Sequence, residues 1–284
     1  MGDGDGWADC DAGHRHWGRH GAAGLLLYHM DSEPYVLLQK RSRVSIGGGT
    51  WGLLGGARHS HENPVEAALR EASEESTLDP SIVRVHWLDG EHHGGWSYET
   101  VIGSVPERVD VRPRSFETAK VAWVPASEVD HKKLFPPFAE AWKRLRRSLY
   151  RLVLVVDTAN VMGSRADGWW RDRRGAAERV RDEIASVHGF TDVPGAVADI
   201  CFPEIIMVVE GAARGVTSTE GVEVVPAPGL GDDTIAELAA PRAPDERRLV
   251  VTADRELRAR CEAAGAMVVG PRWLLDAIRR SCPA

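Results

Sequence analysis

The stretch from Gly56 to Leu78, GARHSHENPVEAALREASEESTL, constrains this chain more than any other. Asn63 is a good helix cap, Pro64 suits the first helical position, where no amide hydrogen bond is needed, and Glu66 stands where a capping-box acid reaches back. The spacing predicts a helix from Pro64 onward. Val65, Ala68, Leu69 and Ala72 recur at i, i+3, i+4 and i+7, one apolar stripe facing a core. At about 100° per residue, Glu71, Glu74 and Glu75 crowd into about a third of the circumference away from that stripe. Like charges at such separations repel, so the cluster is a poor device for stabilising a helix. A hard divalent cation relieves the repulsion, and Mg2+ is often held by a few carboxylates together with substrate phosphates. An isolated E-x-x-E-E is more often a solvated helix face, and its flanking residues decide between the two.

Here the flanking residues resemble the Nudix box, G-x5-E-x7-R-E-U-x-E-E-x-G-U, with Gly56, Glu62, Arg70, Glu71, Ala72, Glu74, Glu75 and Leu78 in register. Thr77 occupies the last glycine position. A glycine just past a helix supplies a left-handed turn that a β-branched residue adopts only with strain, so an altered helix exit is expected. The resemblance implies that Glu71, Glu74 and Glu75 ligate Mg2+, or Mn2+, with the backbone of Gly55 and Gly56 completing the shell. It also implies an orienting pair, Arg70 and Glu62, and counts Glu62, Arg70, Glu74 and Glu75 among the catalytic residues. The implied reaction is attack of water on a phosphorus of a nucleoside diphosphate linked to another moiety, with the metal polarising the phosphoryl oxygens. Nudix proteins are often homodimers, and that too is implied.

Upstream, Cys10, His14, His16 and His20 lie close together in sequence. Such a group can hold zinc, but the spacing matches no zinc motif, and flexible N-terminal histidines are the simpler reading. GAAGLLLYHM and YVLLQKRS read as strands about a turn at Asp31 to Pro34, and Arg41 on the second is a substrate-binding candidate. SIGGGTWGLLGG, whose amides can cradle phosphate, leads into the box, with Leu54 where many Nudix members have Pro. SIVRVHWLDG and WSYETVIGSV read as strands joined by EHHGG. Glu91, His92 and His93 are therefore candidates for substrate contact or for the base that activates water, or else an exposed turn. KVAWVPASEV resembles the late Nudix strand, and Glu117 just ahead of it resembles an acid that sometimes assists the metal site. FAEAWKRLRRSLY reads as a helix presenting Phe138, Trp142 and Leu145 to the first domain.

Residues 1–148 are thus expected to form a Nudix α/β/α sandwich with a mixed sheet, and 149–284 a second domain. In the latter, LVLVVDTANV begins an alternation of strands and helices that implies a Rossmann-like parallel sheet. Acids recur where strands end and helices begin: Asp157 with Asn160, then Glu210, Asp232, Asp233 and Asp254. One such acid is an ordinary helix cap; acids at four such places along one sheet edge suggest convergent metal ligands. VVDTANVM, GDDTIAEL and VVTADREL resemble the PIN-like, NYN-type ribonuclease domain. That resemblance implies Mg2+ or Mn2+ held by Asp157, Asp232 or Asp233, and Asp254, with Asn160 and Glu210 nearby, activating water to cut an RNA phosphodiester. The spacing to Ile235 favours Asp232 over Asp233. SRADGWWRDRR interleaves arginines with Trp169 and Trp170, either a strip for single-stranded RNA or a loop anchored by its tryptophans. The junction near Ser148 to Leu152 contains no Gly/Ser/Pro tract, so a long tether is not expected.

A chain of 284 residues suits two domains. Its net charge of −7 argues against a broad, non-specific grip on nucleic acid. No run approaches the ~18 apolar residues of a membrane span, and the acidic N-terminus is unlike a signal peptide, so a cytoplasmic protein without membrane association is expected. Cys10, Cys201, Cys261 and Cys282 form no C-x-x-C pair, which argues against a disulfide framework. Three arrangements fit: a Nudix enzyme fused to a ribonuclease, a Nudix enzyme with a non-catalytic RNA-binding module, or a Nudix nucleotide sensor governing a nuclease. ADP-ribose-like compounds, damaged or ordinary nucleoside triphosphates, and nucleotide-capped RNA ends all fit the box.

Overall fold

Leucine, valine and isoleucine runs form the long strands of the chain, and Asn, Asp or Pro opens every α-helix but the one starting at Gly231. A computed structural model describes residues 2–281, and Cys282 lies outside them. In chain order the first half contains β1 (Trp7–Asp9), β2 (Arg15–Trp17), β3 (Ala22–Met30), β4 (Pro34–Arg41), β5 (Trp51–Gly52), β6 (Leu54–Ala57), α1 (Pro64–Glu75), β7 (Arg84–His92), β8 (Ser97–Ser104), β9 (Thr118–Pro125) and α2 (Pro136–Leu145). The second contains β10 (Arg151–Asp157), α3 (Thr158–Gly163), α4 (Arg173–Ala185), β11 (Ile200–Cys201), β12 (Glu204–Val209), β13 (Val222–Pro226), α5 (Gly231–Leu238), β14 (Glu246–Val251), α6 (Arg255–Ala263), β15 (Met267–Val269) and α7 (Pro271–Ser281).

These elements fall into two compact units, one running to Leu149 and including Gly195–Ile200, the other Tyr150–Pro194 and the chain from Cys201 onward. The first carries a sheet of order β11-β7-β8-β3-β4-β5, with β6 beside β3 and β9 beside β4. β3 is parallel to β8 and antiparallel to β4 and β6, so the sheet is mixed. Ala67, Ala68 and Ala72 of α1 are fully buried against Leu25, Leu27, Leu37, Leu54 and Val101 of the sheet, with Val65 and Leu69 at the margin. Small residues there let the helix lie close to the strands, which brings its carboxylates to the β6 backbone. Phe138, Trp142 and Leu145 of α2 are buried, as their spacing implies. The segment 195–200 returns to this unit, where Asp199 accepts from the Gly90 N–H (2.9 Å).

The glycine-rich stretch before the box is not one open loop; β5 and β6 form within it and pair with β4 and β3. Of the N-terminal histidines, His16 falls on a paired strand. β1 and β2 pair antiparallel, Trp7 with Trp17, Ala8 with His16 and Asp9 with Arg15, around a tight turn in which Gly13 takes a positive φ of 79°.

The second unit is built on a parallel sheet of order β13-β12-β10-β14-β15. Every β10 residue from Leu152 to Asp157 is buried, as expected for a parallel strand covered on both faces. Among the described residues no helix is long and apolar enough to cross a membrane, and Cys10, Cys201 and Cys261 are free thiols.

Candidate active site

The site of the first unit is set by how α1 begins. The Asn63 side chain accepts from the Val65 and Glu66 N–H groups, and the Glu66 carboxylate accepts from the Asn63 N–H (2.9 Å). This capping box fixes the first turn and with it the direction of Glu62, one residue earlier. Arg70 then reaches back across two helical turns. Its Nε and Nη2 donate to the two oxygens of Glu62 (2.6 and 3.0 Å), Nη2 also donates to the Ala57 carbonyl (2.9 Å), and Nη1 donates to Glu71 (2.9 Å) and Glu74 (3.3 Å). A planar guanidinium is suited to such forked pairing. Its hydrogen bonds hold the Glu62 carboxyl down to about 2, and the pairing raises Arg70 in turn. Arg70 and Glu62 form one rigid tie between the loop and the helix.

Glu75 occupies the opposite kind of environment. It is 8% exposed, and its Oε2 accepts from the Gly55 N–H (2.9 Å) and the Gln39 side-chain amide (2.8 Å), both neutral donors. Burial pushes its carboxyl up to about 7 against the opposing effect of those two hydrogen bonds, and neighbouring Glu71 adds to the rise. Glu71 is raised as well, first by burial. Its carboxylate lies against Gly56, where an added Cβ would meet the carboxyl carbon at 2.7 Å, and a Cβ on Gly55 would meet the Ala23 carbonyl at 2.4 Å. Both glycines are required by this close approach. Two partly desolvated acids, with Glu74 exposed beside them and Arg70 shared with Glu62, leave negative charge that a divalent cation can satisfy.

Gln39 was not legible as a site residue. It is 1% exposed, it also donates to the Leu53 carbonyl (2.8 Å), and its own oxygen accepts from Thr118 Oγ1 (2.7 Å). The signal available was a polar residue within the apolar run of β4.

The other first-unit candidates disperse. Arg41 donates through Nε to the Ile46 carbonyl (2.6 Å) and lies over the Phe135 ring, while its charge still acts on Glu75. Glu117 is exposed ahead of β9, its carbonyl accepting from the Ser42 N–H (2.7 Å), outside the Glu71–Glu75 network. His92 lines a cavity of about 410 Å³ together with Arg19, His20, Arg58 and Trp96. The sequence reading singled out neither arginine. His93 lies against His16 and Trp96. Thr77 takes no left-handed turn. The helix exits through Ser76 in extended backbone; the Thr77 N–H donates to the Arg112 carbonyl and the Thr77 Oγ1 accepts from the Arg112 N–H, both 2.9 Å. The strained glycine turn is replaced by strand-like pairing.

In the second unit Asp157 ends β10, 6% exposed, accepting from the Asn160 N–H (3.0 Å) and Thr252 Oγ1 (2.8 Å). The Asn160 oxygen accepts from the Ala253 N–H, Asp254 caps α6, and Glu210 accepts from the Gly231 N–H (2.7 Å). Burial raises Asp157 and Asp232, and their like-charged neighbours reinforce it: Asp232 and Glu210 on the first, Asp254 and Glu210 on the second. Asp233 instead pairs with Arg260 (2.8 Å). In the Trp/Arg stretch, Arg165 pairs with Glu183 and Arg174 with Glu178, Arg173 covers Trp169, and Trp170 is exposed.

The family model described as the NUDIX domain matches residues 18–145, which include the box helix, the β6 backbone and Gln39. A protein of Mycobacterium tuberculosis named "Putative 8-oxo-dGTP diphosphatase 3" is 46% identical over 157 residues, 51% of this chain and 70% of that protein. The nucleoside triphosphate pyrophosphatase/Nudix hydrolase fusion protein of Bifidobacterium longum is 38% identical over 155 residues, 52% of this chain and 32% of that protein. The crystal structure of a Nudix hydrolase from M. smegmatis, RenU, is 42% identical, covering 51% of this chain and 94% of that one, with a TM-score of 0.48. With the box carried on a capped helix against a glycine strand, and the M. tuberculosis protein 46% identical over 70% of its own length, the chain belongs to the Nudix family and is a hydrolase of phosphoanhydride bonds.

Proposed function

We propose that the first unit is a Mg2+-dependent pyrophosphohydrolase of nucleoside triphosphates, acting in the cytoplasm, with oxidised purine nucleotides as its preferred substrates. The observation that carries the metal is Glu75: a buried carboxylate held by two neutral donors, beside a second half-buried acid, is costly to ionise without a counter-charge, and a cation against it supplies one. Glu71, Glu74 and Glu75 would hold Mg2+, with Mn2+ as a substitute. When bound, the ion offsets charge that develops on the phosphoryl oxygens. The chain supplies the rest. Gln39 and the Gly55 N–H keep Glu75 in place, Arg70 aims Glu71 and Glu74 while anchored to Glu62, and Arg19, with Arg58 beside Glu99, would offer substrate phosphates cationic partners in the cavity they line. The name of the M. tuberculosis relative supports the choice of an oxidised guanine nucleotide.

For the second unit, the mutual influence of Asp157, Glu210, Asp232 and Asp254 favours a metal-dependent ribonuclease of the PIN-like, NYN type. Asp232, not Asp233, joins that cluster in this reading, because Arg260 already neutralises Asp233.

The test is mass-spectrometric product analysis after incubating the purified chain with Mg2+, a panel of nucleoside triphosphates and diphosphate derivatives including 8-oxo-dGTP, and short single-stranded RNA. Release of nucleoside monophosphate and pyrophosphate by the wild type but not by Glu74→Gln supports the first reading. RNA fragments lost in Asp157→Asn support the second, and an untouched nucleotide panel refutes the pyrophosphohydrolase.

A further inference from the structure

The hairpin of β1 and β2 puts a cysteine and two histidines on one face. Ala8 pairs with His16 across the ladder, and the Cys10 N–H donates to the His14 carbonyl (2.9 Å), so Cys10, His14 and His16 share the side opposite Trp7 and Trp17. One ligand atom from each of Cys10, His14 and His16 lies within 4.8 Å of the other two. Cys10 is 6% exposed, and the buried Nε2 of His16 has no hydrogen-bond partner. A buried ring nitrogen of this kind calls for something to satisfy it.

The same face meets the turn between β7 and β8. The His16 ring stacks on Trp96, with centroids 4.1 Å apart and planes at 14°, and the His93 ring lies 4.8 Å from that of His16. Trp96 is fixed in turn, donating from Nε1 to the Gly18 carbonyl (2.8 Å). A stacked, immobilised imidazole beside a thiol and two further imidazoles is a soft nitrogen and sulfur donor set, which selects zinc over magnesium. Tetrahedral zinc with bonds of about 2.0–2.3 Å places its ligand atoms about 3.5 Å apart. Side-chain rotation closes the difference from the observed spacing.

We propose that Cys10, His14 and His16 bind a structural zinc ion, with the His93 ring, which lies beside His16 but outside that three-residue group, turning in as the fourth ligand. The ion ties the N-terminal hairpin to the β7–β8 turn, whose Gly94, Gly95 and Trp96 form one wall of the cavity containing Arg19 and Arg58. It shares no residue with the oxygen-ligand site on α1. The other close group, His59, His61 and Glu62, is poorer, because Glu62 is already held by Arg70.

The test titrates Co2+ into the full chain after removal of metal by a chelator. Wild type should develop a thiolate-to-cobalt charge-transfer band and intense tetrahedral d–d absorption, both saturating at one ion per chain and abolished by Zn2+. Oxygen ligands at the α1 carboxylates cannot give the thiolate band, so Glu74→Gln should retain it whatever happens to hydrolysis. Cys10→Ser should lose the band. His14→Ala, altering an exposed residue and checked for folding by circular dichroism, should weaken Co2+ binding by more than the about 10–100-fold typical of losing an outer hydrogen-bond partner of a metal ligand. Absence of the band in wild type, or undiminished binding in a folded Cys10→Ser or His14→Ala variant, would overturn the proposal.

Discussion

At the scale of single residues, Glu75 is where the physical cost of the site is concentrated. Its carboxyl is held at about 7 by burial, above the ordinary carboxylate value, so between that ordinary value and 7 the folded chain binds a proton that the unfolded chain has released. Stability contributed by the protonated form is therefore present at low pH and lost as pH rises through 7. At about 1.4 kcal/mol per unit the loss is of order 3 kcal/mol. In chelator, urea unfolding should show the protein less stable at pH 8 than at pH 5, and Mg2+ should restore stability at pH 8. Glu62, held down to about 2, works in the other direction and only in acid, losing its contribution as pH falls toward 2. Gln39→Leu removes a donor that lowers the Glu75 carboxyl, so the acidic limb of the pH–kcat/KM profile should move upward, with a stability cost of about 1–3 kcal/mol. The box acids were legible because their spacing is fixed within one helix. Gln39 was not, because its contact with Glu75 spans 36 residues and depends on how β4 lies beside the helix.

At the scale of elements, the helix start was readable and its exit was not. Asn63, Pro64 and Glu66 form the capping box that local spacing predicts. Thr77 in a glycine position pointed to strain, but the partner that relieves it, Arg112, lies 35 residues on. Thr77→Gly should consequently destabilise the protein by about 1 kcal/mol, by losing the Oγ1 hydrogen bond and adding backbone freedom, where a family-based repair would raise stability. Thermal unfolding distinguishes the two. The β1–β2 hairpin escaped the sequence reading for a similar reason: each strand is three residues long, too short for alternation to register, and only cross-strand pairing brings Cys10, His14 and His16 together.

At the scale of the whole molecule, alternating strands and helices announced the parallel sheet of the second unit, and mixed strands with a box helix announced the first. The return of Gly195–Ile200 to the first unit carried no sequence signal. Two units with separate acid clusters imply separable chemistry, and Asp157→Asn should leave nucleotide turnover within about twofold of wild type in a steady-state assay while abolishing any RNA cleavage. The most direct test of the account is nucleotide turnover as a function of free Mg2+ for wild type and Glu74→Gln. Turnover should be absent in chelator and saturably activated by Mg2+ in wild type, with kcat lower by about 10²–10³-fold in the variant, the range for removing one electrostatic stabiliser of a transition state. Metal-independent turnover, or a variant within about twofold of wild type, would contradict it.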